Sequence, residues 1–179
     1  MPGNLSSSAV TGSEEGAEER VEVLDEVGAV IEVVPRSAMR AGNLRHRSVY
    51  VVVCDGPRVL AHRRAAWKDV WPSHWDLAFG GVCAVGERWP DAARRELAEE
   101  AGVDVGEHEL LDLGDGRFES PEVRVVGRAY AVEATGPFTF TDGEVEAVEW
   151  VGRSELGTWM EGHPICPDTL EIVVPRLSS

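Results

Sequence analysis

The sequence predicts an α+β or mixed α/β fold, and three observations support this class. Short segments rich in Val recur along the chain between Gly, Pro and Asp residues, and they predict strands. One segment near the middle, residues 90–101, has the apolar spacing of a helix. The chain has 179 residues, of which 43% are hydrophobic, so it can bury one sizeable core without disulfides.

The N-terminal 20 residues are predicted to be a disordered acidic tail, followed by a single domain at residues 21–179. The tail is rich in Ser, Gly and Glu, and burial of so few apolar side chains cannot offset its ordering entropy. Short strands are predicted at residues 21–24 and 29–34, with a helical turn at residues 36–40.

A central hairpin follows. Residues 48–54 are apolar at nearly every position, which predicts a strand buried on both faces. Asp55 and Gly56 form a turn sequence that leads to a partner strand at residues 58–64. An irregular loop at residues 65–75 comes next. It carries Trp67, Trp71 and Trp75.

The second half of the chain is predicted to alternate strands with a few helices. A short strand at residues 76–82 runs through the pair Gly80–Gly81 to the helix at 90–101, which has Pro90 in its first turn and Gly102 as its stop. A short helix at residues 154–160 has Ser154 as its predicted N-cap, and the chain after residue 167 is predicted to be helical. Further strands are predicted at residues 108–113, 122–133 and 147–151.

The composition excludes several functional classes. Asp and Glu number 32 and Lys and Arg number 17, so the formal net charge is -15. This charge argues against general nucleic-acid binding and against docking on an anionic membrane, because both need a basic surface. The sequence shows neither a spanning apolar run nor a secretory signal pattern. Since the three cysteines lack CxxC spacing, we expect reduced thiols and a cytoplasmic protein.

Three glutamates of the predicted central helix indicate a metal site. Glu96, Glu99 and Glu100 have the spacing i, i+3 and i+4, which places them within an arc of about 100° on one helix face. Such like charges repel each other unless a divalent cation lies among them. Oxygen ligands favour Mg²⁺, with Mn²⁺ as an alternative, over zinc. The structural alternative is a solvated acidic helix face.

Residues close to the glutamates fit a preformed site. The pair Gly80–Gly81 allows the backbone to approach the helix, so that a backbone carbonyl reaches the ion as well. Glu87 precedes the helix and Arg95 lies on it. We predict an ion pair between these two side chains that braces the loop against the helix and positions the metal ligands.

Residues 81–103 resemble the signature of the Nudix hydrolase family, Gly-x5-Glu-x7-Arg-Glu-U-x-Glu-Glu-x-Gly-U, where U is apolar, and match every fixed position. The resemblance implies an α/β/α sandwich with a mixed β-sheet. It also implies Mg²⁺-dependent hydrolysis of a diphosphate linkage in a nucleoside diphosphate derivative or a related organic pyrophosphate. The implied metal ligands are the Gly80 carbonyl, Glu96, Glu99 and Glu100. The implied catalytic acids are Glu96, Glu99 and Glu144, the last of which lies in a turn where the family often places its general base.

The N-terminal half has a second likeness. The layout of residues 23–47 is similar to that of the branch related to isopentenyl diphosphate isomerase, including its hydrolase-like members. Gly80 stands where the isomerase would have its catalytic Cys, and His46 alone matches an isomerase-type ligand, so the intact motif favours a hydrolase. Isomerase-like activity and a non-catalytic nucleotide-binding module are the alternative functions.

Four residues outside the motif are predicted to contact the substrate. Arginine holds phosphate through forked hydrogen bonds, and tryptophan stacks on a base or covers an apolar chain. The structural alternatives are a hydrogen-bonded His, arginines paired with surface acids, and a Trp that anchors its loop. The expected partner is a small-molecule diphosphate, and the oligomeric state stays open, with a homodimer as one option. The four residues are His46, Arg63, Arg64 and Trp75.

Overall fold

The computed structural model of the protein describes residues 19–177. The disordered tail is predicted for residues 1–20, of which 1–18 lie outside the described residues, so for these it stays a prediction. The first strand begins at Arg20, inside the range assigned to the tail.

An N-terminal unit of two strands and one short helix precedes the main sheet. Strands β1 (Arg20–Leu24) and β2 (Val30–Pro35) pair antiparallel, and helix α1 (Arg36–Ala41) follows directly. Met39 of α1 is buried in a small core that also contains Val82, close to the glycine pair. This packing fixes α1 beside the segment in which the glycine pair lies.

The main sheet has six strands and is mixed. The strands are β3 (His46–Asp55), β4 (Arg58–Arg64), β5 (Trp75–Asp76), β6 (Leu111–Glu119), β7 (Arg124–Glu133) and β8 (Val145–Gly152). Strands β3 and β7 run parallel, while every other pairing in the sheet is antiparallel. The strand order is β5-β4-β3-β7-β6, and β8 pairs with β4. The mixed sheet therefore confirms the prediction.

Helices cover both faces of this sheet. Helix α2 (Trp89–Ala101) packs on one face, and helices α3 (Leu156–Glu161), α4 (Pro167–Ile172) and α5 (Val174–Leu177) contribute to the core on the other. Successive residues of β3 point to opposite faces and enter the two cores in turn. The strand is buried because both faces are covered, and the predicted α/β/α sandwich is confirmed.

Two local predictions were wrong. Residues 107–109 form a 3₁₀ turn rather than the start of a strand, because the Glu109 carboxylate accepts a hydrogen bond from the Gly106 N–H at 2.6 Å and closes the turn. Ser154 does not cap α3, since the helix begins at Leu156 after a turn in which the Glu155 N–H donates to the Gly152 carbonyl. Both errors lie at ends of elements, where short-range hydrogen bonds decide the boundary.

None of the helices in residues 19–177 is long and apolar enough to cross a membrane.

The buried His62 is expected to make the fold sensitive to acid. Its ring stacks on Phe79 at 4.4 Å, and burial lowers the pKa of His62 to about 4. The unfolded chain, with a His pKa of about 6.5, binds the proton first, so stability present above pH 6.5 is lost as the pH falls towards 4. This loss amounts to about 3 kcal/mol for a shift of this size.

The substitution His62→Phe keeps the ring stack and removes the titration. We expect the loss in unfolding free energy between pH 6.5 and pH 4 to be smaller in the variant by about 3 kcal/mol. Urea unfolding at a series of pH values measures it. Parallel stability curves for the two proteins would contradict the assignment.

Candidate active site

A cavity of about 560 Å³ opens where helix α2 meets the Gly80–Gly81 segment. This volume is in the range of small-molecule sites. Its other walls come from β3, from α1 and from the loops at residues 64–71 and 142–144. All the predicted metal ligands line this one cavity. They are Gly80, Glu96, Glu99 and Glu100.

The segment before α2 runs alongside strand β3 at very close range. The Val51 and Val49 N–H groups donate to the carbonyls of Phe79 and Gly81, at 2.7 and 3.0 Å. A Cβ atom at Gly80 would lie 1.9 Å from the Val49 carbonyl oxygen, so only glycine fits there.

Gly80 itself faces helix α2. Its N–H donates to Glu100 Oε2 at 2.9 Å. Because the N–H and C=O of one residue in an extended segment point to the same side, its carbonyl is directed to the cavity side as well. Within residues 19–177 that carbonyl accepts no hydrogen bond, so its lone pairs are free for a ligand.

Two of the glutamates are buried next to each other. Burial, and after it the neighbouring Glu96 carboxylate, raise the pKa of Glu100 to about 8. Burial also raises the pKa of Glu96, against the opposing effect of Arg95. Two adjacent acids held out of water are unfavourable as free anions, so the pair favours a cation or protons.

Arg95 connects the glutamates to the preceding loop. Its Nε and Nη2 donate to the two carboxylate oxygens of Glu87, each at 2.9 Å, which confirms the predicted ion pair. Its Nη1 donates to Glu96 at 2.6 Å and to Glu99 at 3.2 Å. Glu99 is the most exposed of the three glutamates, with 59% of its side chain accessible to solvent.

The oxygen atoms of these residues are of the type that binds a hard divalent cation, although they do not form a complete coordination sphere. Among residues 19–177 no three His, Cys, Asp or Glu side chains converge as tightly as bound metal requires. Arg95 Nη1 lies between Glu96 and Glu99 instead, where it supplies the positive charge that both carboxylates need. Carboxylates and a free carbonyl are the ligands that Mg²⁺ prefers.

The NUDIX domain family model matches residues 44–167 of this chain. The chain belongs to the Nudix family. Related sequences support this: an uncharacterized Nudix hydrolase of Yersinia pestis is 39% identical over 142 residues, covering 77% of this chain and 75% of the relative. The uncharacterized Nudix hydrolase YfcD of Escherichia coli K12 is 38% identical over 142 residues, with 77% and 76% covered. The protein is accordingly a Nudix pyrophosphohydrolase.

Solved structures support the Nudix fold. The structure of DR0079 from Deinococcus radiodurans superposes with a TM-score of 0.70 at 21% identity, covering 89% of this chain and 98% of that one. The MutT protein of Methanosarcina mazei gives a TM-score of 0.60 at 20% identity, with 75% and 91% covered. At these identities the likeness concerns the fold alone.

Three more of the predicted site residues line the Nudix cavity. Arg64 lines the cavity and donates a hydrogen bond to the Val70 carbonyl. Glu144 lines it and forms an ion pair with Lys68. His46 is also present, with its Nδ1 atom 2.9 Å from the Leu44 carbonyl. Burial lowers the pKa of His46 to about 4, so the ring is neutral, as in the structural interpretation of this residue.

Two of the predicted substrate contacts, Arg63 and Trp75, lie outside this cavity. Arg63 is the strand neighbour of Arg64, so its side chain leaves the opposite face of β4 and pairs with Glu146 at 3.1 Å. Trp75 packs edge-on against Trp159 at 5.3 Å, which matches the loop-anchor interpretation. Neither side chain lines the cavity.

The cavity also contains polar residues that the sequence analysis did not single out: Arg36, Arg40, Asp76 and Asp168. The two arginines are four residues apart in a predicted helical turn, and this spacing was an available signal for one shared face. The aspartates are 92 positions apart in sequence, and only the fold brings them together. Tyr50 donates to Asp168 at 2.9 Å, and Thr169 donates to Asp76 at 2.6 Å.

Loss of the Glu87 carboxylate should weaken the Nudix scaffold more than the chemistry. Glu87→Gln breaks the paired hydrogen bonds to Arg95, which also lower the pKa of Glu87. We expect a loss of about 1–3 kcal/mol in unfolding free energy and a weaker response to added Mg²⁺, with turnover retained at saturating metal. Thermal unfolding and a Mg²⁺ titration of the rate measure these effects. A variant with normal melting temperature and metal response but no turnover would contradict a bracing role.

Proposed function

We propose that the protein uses Mg²⁺ to hydrolyse a diphosphate linkage in a nucleoside diphosphate derivative or a related organic pyrophosphate. The observation that carries this proposal is the buried pair Glu96 and Glu100 beside the free Gly80 carbonyl, in a cavity that basic side chains also line. Oxygen ligands and cationic donors in one cavity suit a metal-bound diphosphate.

Glu96, Glu99, Glu100 and the Gly80 carbonyl would hold the cation, with Mn²⁺ as an alternative to Mg²⁺. When bound, the cation supplies positive charge that screens the diphosphate and polarises its phosphoryl oxygens. Glu96 and Glu99 would bind the cation in place of Arg95 Nη1. The two bonds from Arg95 to Glu87 use its Nε and Nη2 atoms, so they would still hold the loop against the helix.

A carboxylate of the same cavity accepts the proton of the attacking water. Glu96, Glu99 and Glu144 are the proposed candidates for this role. Glu144 lines the cavity from the loop at residues 142–144, where its carboxylate forms an ion pair with Lys68. On the substrate side, Arg64 presents its guanidinium to the cavity and is proposed to hold a phosphate.

We propose a cytoplasmic location as well. The three cysteines are free and buried, and thiols of this kind persist in a reducing compartment.

A substrate screen with and without Mg²⁺ tests the proposed activity. The panel contains nucleoside diphosphates, nucleoside diphosphate sugars and ADP-ribose, since the Nudix domain of Shewanella oneidensis NrtR was solved as a complex with ADP ribose. Mass spectrometry of both products identifies the bond that breaks. The proposal predicts Mg²⁺-dependent cleavage between the two phosphorus atoms.

Two results would contradict it. Tight nucleotide binding without turnover of any compound would indicate a binding module. Conversion of isopentenyl diphosphate to dimethylallyl diphosphate would indicate an isomerase instead.

A further inference from the structure

Three arginines line the same cavity as the glutamates. Arg36 and Arg40 come from α1, which precedes the family-matched residues 44–167, and Arg64 comes from the end of β4. The cavity lining as a whole holds more carboxylates than cations, and Arg36 and Arg40 face Glu19 and Asp69. The case for a bound anion therefore rests on the individual buried donors that these pairs leave without an acceptor.

Arg40 is the arginine of this group with a buried N–H that has no hydrogen-bond acceptor among the described residues. Its Nε atom is buried and donates no hydrogen bond to any group in residues 19–177. The nearest carboxylate oxygen, on Asp69, is 3.7 Å away, which is too far for a hydrogen bond. Burial lowers the pKa of Arg40, and the charges of Arg36 and Arg64 lower it further against the effect of Asp69. The buried Arg40 Nε–H therefore lacks, within the described chain, the hydrogen-bond acceptor that it needs, although Asp69 supplies a negative charge nearby.

A second buried hydrogen-bond donor lines the same cavity. The indole Nε1 of Trp71 has no acceptor within the described part of the chain, although Trp71 lines the cavity. The ring is held edge-on against Phe118 at 6.2 Å, so its position is fixed by packing. An indole N–H only donates, so Trp71 and Arg40 both require an acceptor from a ligand.

The other two arginines keep donors to spare. Arg36 Nη1 donates to Glu19 at 2.8 Å, and Arg64 uses its Nε and Nη2 on the Val70 carbonyl, at 3.3 and 3.1 Å. A guanidinium group has five N–H donors, so both side chains stay oriented by these bonds while other donors are available to the cavity.

We propose that Arg36, Arg40, Arg64 and Trp71 form a subsite for a terminal phosphate, so that the preferred substrate is a diphosphate substituted at one end only. A free terminal phosphate carries a charge of about -1.5 to -2 at pH 7, whereas a phosphate substituted on both sides carries about -1. Three guanidinium groups match the higher charge and its three free oxygens. In this reaction a water oxygen bonds to one phosphorus, the bridging P–O bond breaks, and a cavity carboxylate takes the proton. The products are an organic monophosphate and inorganic phosphate. The inference rests on the proposed function.

Matched substrate pairs test the substrate class. ADP against ADP-ribose, and UDP against UDP-glucose, differ only in whether the terminal phosphate is free. We expect kcat/KM to be higher by about tenfold or more for ADP and UDP, because the blocked phosphate loses charge-assisted hydrogen bonds. Equal or higher kcat/KM for the blocked members would overturn the inference.

Arg40→Gln tests the subsite itself. We expect KM for the free diphosphate to rise about 10- to 100-fold with kcat little changed, while KM for the blocked member changes less. Arg40→Lys should recover part of the loss. Arg124→Gln serves as the matched control, because Arg124 is a half-buried arginine on β7 that does not line the cavity. A KM for Arg40→Gln equal to that of the control would contradict the subsite.

A binding measurement separates this inference from the proposed function. Calorimetric titration with methylenediphosphonate, which is not hydrolysed, should show binding to the wild-type protein that is about tenfold weaker in Arg40→Gln. If this holds but no compound is hydrolysed with Mg²⁺, the subsite stands and the proposed activity fails. If hydrolysis occurs and neither KM nor binding depends on Arg40, the activity stands and the subsite fails.

Discussion

Glu100→Gln is expected to reduce turnover by about 10³-fold or more, equivalent to about 4 kcal/mol of transition-state stabilisation, because it removes a proposed metal ligand. The fold should be preserved. The amide oxygen of Gln still accepts the hydrogen bond from the Gly80 N–H, and a neutral group suits this buried position, where burial raises the pKa of Glu100 to about 8. Steady-state rates at saturating Mg²⁺, together with thermal unfolding, measure both expectations.

Glu171→Gln is the matched control, since Glu171 is exposed on helix α4. It should leave the rate unchanged. A Glu100→Gln protein with near-normal turnover would remove Glu100 from the metal site. A protein that loses turnover only because it unfolds would show instead that the carboxylate acts through stability.

Gly80→Ala is expected to produce the largest loss of stability. The added Cβ would lie 1.9 Å from the Val49 carbonyl oxygen, and a backbone atom of the central strand cannot move aside as a flexible side chain can. We expect the free energy of unfolding to fall by about 3 kcal/mol or more, or the chain not to accumulate in folded form. Urea unfolding and soluble yield measure the effect.

Two further glycines make the comparison specific. Gly157→Ala, in helix α3, meets no atom within 4 Å and should be neutral or stabilising by up to about 1 kcal/mol. Gly81→Ala places its Cβ 2.6 Å from Glu96 Oε2, so it should displace a flexible carboxylate and lower the rate with a smaller loss of stability. Equal unfolding free energies for Gly80→Ala and Gly157→Ala would disprove the close approach to β3.

The sequence predicted the side of the cavity formed by the glutamates better than its other walls. The spacing of Glu96, Glu99 and Glu100 is local, and helix geometry alone assigns them to one face. The pairing of Glu87 with Arg95 also followed from the motif and its predicted loop. Local patterns of this kind can be read from the sequence, because a helix is formed by residues that are close together along the chain.

The remaining walls depend on tertiary placement. Arg63 and Arg64 are adjacent on β4, so one of them must point away from the cavity, and the sequence does not decide which. Trp71 and Trp75 belong to one predicted loop, and only packing against Phe118 or Trp159 separates their roles. The position of Arg40 in the cavity depends on how α1 packs beside the main sheet, and this packing is a long-range contact.

A crystal structure of the protein grown with Mn²⁺ tests the central claim most directly. The account predicts an anomalous difference peak among the carboxylates of Glu96, Glu99 and Glu100, with ligand oxygens at about 2.1 Å, and Arg95 bonded to Glu87 alone. Crystals of protein that is active in the same Mn²⁺ solution, with no peak at this position and Arg95 still bonded to Glu96 and Glu99, would contradict it.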